Sequence, residues 1–212
     1  MSPILFDFDG TLADTMSDHF SSWRFVLKAY GILLEERDYY PLEGLGLKEV
    51  AGRLVKEKTL NSDEINQIVY KKKQHYITNY RGRVRFFDGV KEFISLLNKK
   101  NIPIAIVTAG HLDQLKKTVP ESFLNRFNAI VTGDQVSRNK PFPDPYLKGA
   151  ELLGFNGGDC IAVENAPLGI KSARTAGCYC VGISSTVSAE ELNDADEIYK
   201  TMNDMMVATL AT

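Results

Sequence analysis

The sequence predicts an α/β fold: a doubly wound parallel sheet with a block of helices inserted after its first strand. Three observations carry that expectation. Short apolar runs alternate with stretches of helical periodicity through most of the chain. The first apolar run ends sharply in aspartates and a glycine, and a long helical block without a strand-like run separates it from the rest.

Pro3 to Phe8 reads as a buried strand entering a tight turn at Asp7, Asp9 and Gly10. From Met16 the apolar positions Phe20, Trp23, Val26, Leu27 and Tyr30 keep helical spacing until Gly31 offers a stop. Residues 47 to 80 are helical on the same ground, through Leu47, Val50, Leu54, Ile65, Ile68, Val69 and Tyr76. After Asp88 and Gly89, a helix carrying Val90, Phe93, Ile94, Leu96 and Leu97 leads into the strand Ile104 to Val107. The rhythm then continues: helix Leu112 to Val119, strand Ala129 to Thr132, helix Tyr146 to Leu153, strand Ile161 to Val163, helix Leu168 to Ala176, strand Tyr179 to Ile183. Parallel neighbours need crossover connections, so this alternation gives a Rossmann-like sheet with helices on both faces. The expected division is an α/β core of residues 1–13 and 87–212 and an inserted α-helical cap of residues 14–86.

Whole-chain properties narrow the function. A chain of 212 residues, 44% hydrophobic and 25% charged, has the makeup of one folded enzyme-sized unit with room for a small subdomain. Its apolar runs fall far short of the ~20 residues that cross a bilayer. The N-terminus has no basic region followed by a long apolar stretch, so a cytoplasmic location without a membrane partner is the default. A net charge of -2 argues against nucleic acid as a partner. Residues 14–86 nevertheless hold 13 Lys/Arg against 10 Asp/Glu, a net of +3 that leaves -5 elsewhere, and such opposed segments can steer small anions between them. Taken singly, these charges, Lys71, Lys72 and Lys73 among them, read as solvated helix faces. The three cysteines, Cys160, Cys178 and Cys180, lie in apolar segments and read as buried thiols.

In open parallel sheets ligands bind beyond the carboxyl ends of the strands. The chemically pointed residues there are Asp7 with Asp9, Thr108, Lys140, and Glu164 with Asn165. Alone, two aspartates can cap a turn, a threonine can belong to a strand, and a lysine can be a surface charge. In this order, however, the segments DFDGTLADT, IVTAG, NKPFPDPY and VENAPLGI resemble the motifs of the haloacid dehalogenase-like hydrolase superfamily, in its phosphatase and beta-phosphoglucomutase branch.

The resemblance implies a Mg2+-dependent phosphatase that hydrolyses a small phosphorylated metabolite through an aspartyl phosphate, acting as a monomer or homodimer. It makes Asp7 the nucleophile and Asp9 the acid/base partner, with Thr108, Ala109 and Lys140 holding the phosphoryl group. Those roles suit the chemistry, since a carboxylate can attack phosphorus and the charge on the transferred group needs fixed donors. The metal ligands it implies are Asp7, the Asp9 carbonyl, Glu164 and Asn165. Many relatives carry an acid at the second position of the last pair, so one negative charge is missing here, and Glu164 is expected to be the direct ligand. His19 and Trp23, on neighbouring helical turns of the cap, are candidates to face substrate, with core packing the competing role for Trp23.

Three alternatives stand beside this reading. A sugar-phosphate mutase uses the same motifs, but in the loop Gly44-Leu45-Gly46-Leu47-Lys48 the arginine expected to grip a second phosphate is missing, leaving Lys48 or Lys72 to replace it. A dehalogenase needs no proton donor for its leaving group, which disfavours it because Asp9 is present. A catalytically inactive binding protein has only Asn165 in its favour.

Overall fold

The computed structural model describes residues 2–58 and 60–211 of the chain, with side chains described through residue 209. Six parallel strands, β1 (Ile4–Phe6), β2 (Ile104–Val107), β3 (Ala129–Val131), β4 (Ile161–Glu164), β5 (Tyr179–Ile183) and β6 (Glu197–Tyr199), form one sheet in the order β3-β2-β1-β4-β5-β6. The order reverses between β1 and β4, and crevices for ligands open at such switch points, outside the carboxyl ends of the strands.

Successive side chains of a strand point to opposite faces, and here both faces are covered, so the central strands are apolar throughout. Ile4, Phe6, Ile104, Ile106, Val163, Val181 and Ile183 share one core cluster, whereas Leu5, Ala105, Val107, Ala162 and Cys180 belong to the other. Between β1 and β2 come the helices α1 (Met16–Lys28), α2 (Glu36–Tyr39), α3 (Leu47–Leu54) and α4 (Ser62–Tyr80). The remaining helices are α5 (Val90–Lys99), α6 (Leu112–Thr118), α7 (Glu121–Leu124), α8 (Asp144–Leu153), α9 (Pro167–Thr175) and α10 (Met202–Ala211). The first core cluster is closed by α5, α6, α7 and α10, the second by α8 and α9. Cys160, Cys178 and Cys180 are free and buried, and burial pushes the Cys178 thiol up to about 12.

The helices between β1 and β2 build a cluster of their own. Phe20, Trp23 and Leu27 of α1 pack with Leu47 and Val50 of α3 and with Ile68 and Val69 of α4. The chain enters and leaves this insert through a short ribbon. Ala13 bridges Phe86, the Asp14 N–H donates to the Arg85 carbonyl at 2.9 Å, and the Phe87 N–H donates to the Leu12 carbonyl at 3.2 Å.

The sequence expects the strands through β5 and their intervening helices, all of which occur. The stretch 47–80 is two helices, α3 and α4, with Asn61 capping the second by accepting from the Asp63 and Glu64 N–H groups. The short helices α2 and α7 have no counterpart in the sequence reading, and neither do two elements at the end of the chain. Edge strand β6 carries Glu197 and Ile198 on exposed positions and so lacks an apolar run, and α10 follows it.

Phe93 of α5 is fully buried and meets Phe6 of β1 edge to face, with ring centroids 6.1 Å apart. Its truncation to alanine leaves a cavity beneath the strand that carries Asp7, and the expected loss is about 3–5 kcal/mol of stability, read from urea unfolding at constant m-value.

Candidate active site

The turn after β1 is wound on one carbonyl. The Thr11, Leu12 and Ala13 N–H groups all point at the Phe8 oxygen, and Gly10 adopts a φ of +87°. A side chain at residue 10 would put its Cβ 2.2 Å from Asn165 Nδ2, so the left-handed turn and the close approach of β4's end both require glycine. This tight turn brings Asp7 and Asp9 to the switch point beside Thr108, which follows β2, and Glu164, which ends β4.

Lys140 binds these strands together. Its side chain is fully buried, and its Nζ donates to Asp7 Oδ1 at 2.6 Å, to Glu164 Oε1 at 2.6 Å and to the Val107 carbonyl at 3.0 Å. Burial opposes the ammonium charge, but the two carboxylates outweigh it and raise Lys140 above the ordinary lysine range. Asp7 Oδ2 has no hydrogen-bond partner among the described residues, so one oxygen of this carboxylate is fixed and the other is free. Burial pushes Asp7 up to about 7; Lys140 pulls it down, while Glu164 and Asp9 add to the rise. The anions here outnumber the one cation that serves them.

Asp9 has a separate set of partners. Oδ1 accepts from Thr15 Oγ1 at 2.7 Å and contacts His19 Nε2 at 2.9 Å, and Oδ2 accepts from Thr108 Oγ1 at 3.3 Å. Burial would raise Asp9, but His19 and the hydrogen bond from Thr15 hold it down at about 2. Behind His19 lies Lys72, whose Nζ is 2.8 Å from His19 Nδ1. An ammonium has only protons to give, so Nδ1 accepts and the proton on Nε2 points at Asp9. His19 itself is pushed down by burial and by Lys72, against the pull of Asp9, which favours this neutral tautomer.

Lys72 corrects the sequence reading of a solvated 71–73 face. It is 1% exposed, between the Trp23 and Tyr76 rings at 5.4 and 5.3 Å from their centroids, and burial lowers it to about 7. The signal was present, because Ile68, Lys72 and Tyr76 repeat every four residues on the buried stripe of α4. Lys73, on the next position, pairs with Asp113 of α6 at 2.8 Å and so links insert to core. Trp23 belongs to the insert's apolar cluster and also lines the cavity, together with His19, Thr108 and Ala109.

The last pair divides its labour differently from the expectation. Glu164 Oε1 accepts from Lys140 and from Tyr146 OH at 2.7 Å, and Oε2 accepts the N–H groups of Asn165 and Ala166 at 3.1 and 3.4 Å. With both oxygens engaged, Glu164 organises Lys140, and this geometry does not favour it as the direct ligand. Asn165 turns Oδ1 to Thr11 Oγ1 at 2.9 Å and Nδ2 to Thr186 Oγ1 at 2.8 Å and Glu43 Oε2 at 3.1 Å.

Glu43, between α2 and α3, went unnoticed in the sequence. It lines the same cavity and is 5% exposed. Its Oε1 is buried without a partner among the described residues. Burial raises it to about 8, the Thr186 hydrogen bond opposes the rise, and Asp7, Glu164 and Asp9 increase it. The donor set suits a hard divalent cation: the Asp7 carboxylate, an excess of anionic charge and an orphaned carboxylate oxygen. Among the described residues no three His, Cys, Asp or Glu side chains are already grouped at ligand spacing, so main-chain oxygen or retained water must complete such a site.

Comparison with known proteins agrees with this geometry. A family profile described as "Haloacid dehalogenase-like hydrolase" matches residues 4–183. Hexitol phosphatase A of Escherichia coli (strain K12) is 29% identical over 203 residues, 96% of this chain and 92% of that protein. Beta-phosphoglucomutase of Bacillus subtilis (strain 168) is 23% identical over 216 residues, 99% of this chain and 94% of that protein. In three dimensions, a hydrolase from Pseudomonas syringae superposes with a TM-score of 0.87 at 24% identity, covering 100% of this chain and 99% of that one, a likeness of fold. With the profile spanning both the sheet through β5 and the insert, the chain belongs to the haloacid dehalogenase-like hydrolase family.

Proposed function

We propose that this protein is a phosphatase, a phosphoric monoester hydrolase that cleaves a small phosphorylated metabolite through an aspartyl phosphate on Asp7. The observation that carries the reading is the pair of carboxyls at the end of β1. One is fixed at a single oxygen by Lys140, and the other is held independently by Thr15 and His19.

In the first step the free Oδ2 of Asp7 attacks phosphorus, the ester O–P bond breaks, and Asp9 gives its proton to the departing oxygen. The negative charge of an arriving phosphate raises Asp9 from its low resting value toward the protonated form this step needs. In the second step Asp9 takes a proton from water, whose oxygen attacks phosphorus and releases phosphate from Asp7. Lys140 supplies a fixed positive charge and Thr108 a hydroxyl beside the charge that develops. Mg2+, held by Asp7 and the Asp9 carbonyl with further oxygens nearby, would neutralise phosphoryl charge and keep Asp7 ionised. The helical insert covers the cavity and excludes stray water from the first step.

The mutase reading needs a second phosphate grip. Lys48 is exposed and outside the cavity, and Lys72 is committed to His19, which favours water as the acceptor in the second step.

Asp7→Asn, nearly isosteric, is expected to abolish phosphate release while the far-ultraviolet circular dichroism stays unchanged. Substantial turnover by that variant sinks the mechanism. Offered a hexose 1-phosphate with a trace of hexose 1,6-bisphosphate, the enzyme should yield inorganic phosphate by phosphorus NMR; a product that is mainly the 6-phosphate would make it a mutase.

Lys72 links function to stability. Its folded pKa of about 7 lies below the usual 10.5, so between those pH values the unfolded chain binds a proton that the folded chain does not. Stability therefore rises with pH across that window, and the burial cost is greatest at and below about pH 7. Lys72→Met should remove this slope and stabilise the protein at pH 7 by about 1–3 kcal/mol. Losing the group that fixes the His19 tautomer should lower kcat by about 10- to 100-fold. Thermal melts at pH 7 and 10, with steady-state kinetics, check both outcomes, and a variant less stable than wild type at pH 7 contradicts the assignment.

A further inference from the structure

The acid missing at residue 165 returns from another part of the chain. Asn165 stands where the motif resemblance implies a carboxylate, yet its amide oxygen is turned to Thr11, and its amide nitrogen faces Glu43. Glu43 thus places a carboxylate one hydrogen bond from the position that lacks one. Thr186 Oγ1 donates to the same Oε2 at 3.0 Å, so two donors from the core fix one oxygen. The other oxygen, Oε1, is buried with no partner among the described residues, in the wall of a cavity also lined by Asp7, Asp9 and Glu164. A carboxyl oxygen withdrawn from water without a partner is costly, and ionising it there costs more still where other carboxylates surround it, unless a cation arrives.

The backbone around Glu43 is built for this approach. Gly44 has a φ of +86°, and a Cβ there would sit 3.5 Å from the Gly169 nitrogen and 3.7 Å from Lys140 Cδ. The left-handed turn therefore lays the insert's loop directly over Lys140 and the start of α9, and the carboxylate just before it drops into the cavity. Charge balance points the same way. Lys140 is shared by Asp7 and Glu164, which leaves one net negative charge from those three groups when both are ionised, and a Glu43 ionised by an arriving cation makes it two.

We infer that Glu43 supplies the second carboxylate of a divalent-cation site that spans insert and core, in place of an acid at residue 165. The inference rests on the cation-dependent reading of the site under "Proposed function". Among the described residues no three His, Cys, Asp or Glu side chains are grouped at ligand spacing, and small hard cations commonly retain water, so the Glu43 oxygen would meet the cation through a retained water. Asn165 is then a positioning residue that holds Glu43. The site is complete only when the insert lies against the core.

The test is Mn2+ binding to the full chain, followed by the loss of the free-ion EPR signal, with Mg2+ as competitor. Wild type, Glu43→Gln, and Glu43→Gln combined with Asn165→Asp are compared, with melting curves to show that each is folded. Glu43→Gln should weaken Mn2+ binding about tenfold or more. Restoring a carboxylate at the original position in the double variant should recover most of that loss. Three results overturn the inference: no Mn2+ binding by wild type, wild-type affinity in Glu43→Gln, or a loss that Asn165→Asp does not repair. The last would show that Glu43 acts through packing or substrate. Phosphate release from p-nitrophenyl phosphate by wild type, measured in parallel, separates the two readings. Turnover without the binding pattern overturns only the role of Glu43, and the binding pattern without turnover overturns only the phosphatase.

Discussion

One buried ammonium makes the rest of this site possible. Asp7 ends β1 and Glu164 ends β4, and adjacent strands of a parallel sheet bring two carboxylates together where water has been excluded. Without Lys140 between them, neither would remain ionised there, because an unpaired buried charge costs several kcal/mol. The ammonium is itself fixed by the Val107 carbonyl at the end of β2, so three strands converge on one nitrogen. Tyr146 and two backbone N–H groups satisfy what remains of Glu164. A fully bonded Glu164 cannot swing, and so Lys140 cannot, and so one oxygen of Asp7 is held while its neighbour stays open to react.

The two aspartates are served differently by the two parts of the molecule. Core residues alone hold Asp7, whereas Asp9 shares one oxygen with Thr108 of the core and gives the other to Thr15 and His19 from the start of the insert, with Lys72 of α4 behind them. Position along the sheet therefore fixes Asp7, the proposed nucleophile, and the seating of the insert helps to fix Asp9, the proposed acid and base. The chain resembles both phosphatases and a mutase. Here the insert presents to the cavity a buried lysine already engaged with a histidine, an aromatic wall and a carboxylate.

Much of this was legible in the sequence because burial on both faces writes a strand as a plain apolar run, and β1 through β5 are such runs. Edge strand β6 was not, since Glu197 and Ile198 face solvent and only backbone pairing with β5 defines it. At the site, Asp7, Asp9, Thr108 and Lys140 follow strand ends in an order that topology alone brings together. Lys72 was readable from its four-residue spacing but was masked by the lysines on either side. Glu43 was not readable, because no periodicity governs the irregular stretch between α2 and α3. Only the turn at Gly44 and the tertiary contact with Asn165 give it meaning. The roles within Glu164-Asn165 were equally hidden, since hydrogen-bond saturation of a carboxylate depends on partners as distant as Tyr146.

The insert touches the core in two kinds of place. Beside the ribbon, backbone hydrogen bonds tie Asp14 to Arg85 and Phe87 to Leu12, and the residues that follow carry Thr15 and His19 to Asp9. Farther along the chain, Glu43 reaches Asn165 and Thr186, and Lys73 reaches Asp113, through side chains alone. A side-chain contact can be exchanged for water singly, whereas a bridged ribbon gives way only as a unit, so the insert is sewn to the sheet at its root and merely buttoned to it elsewhere.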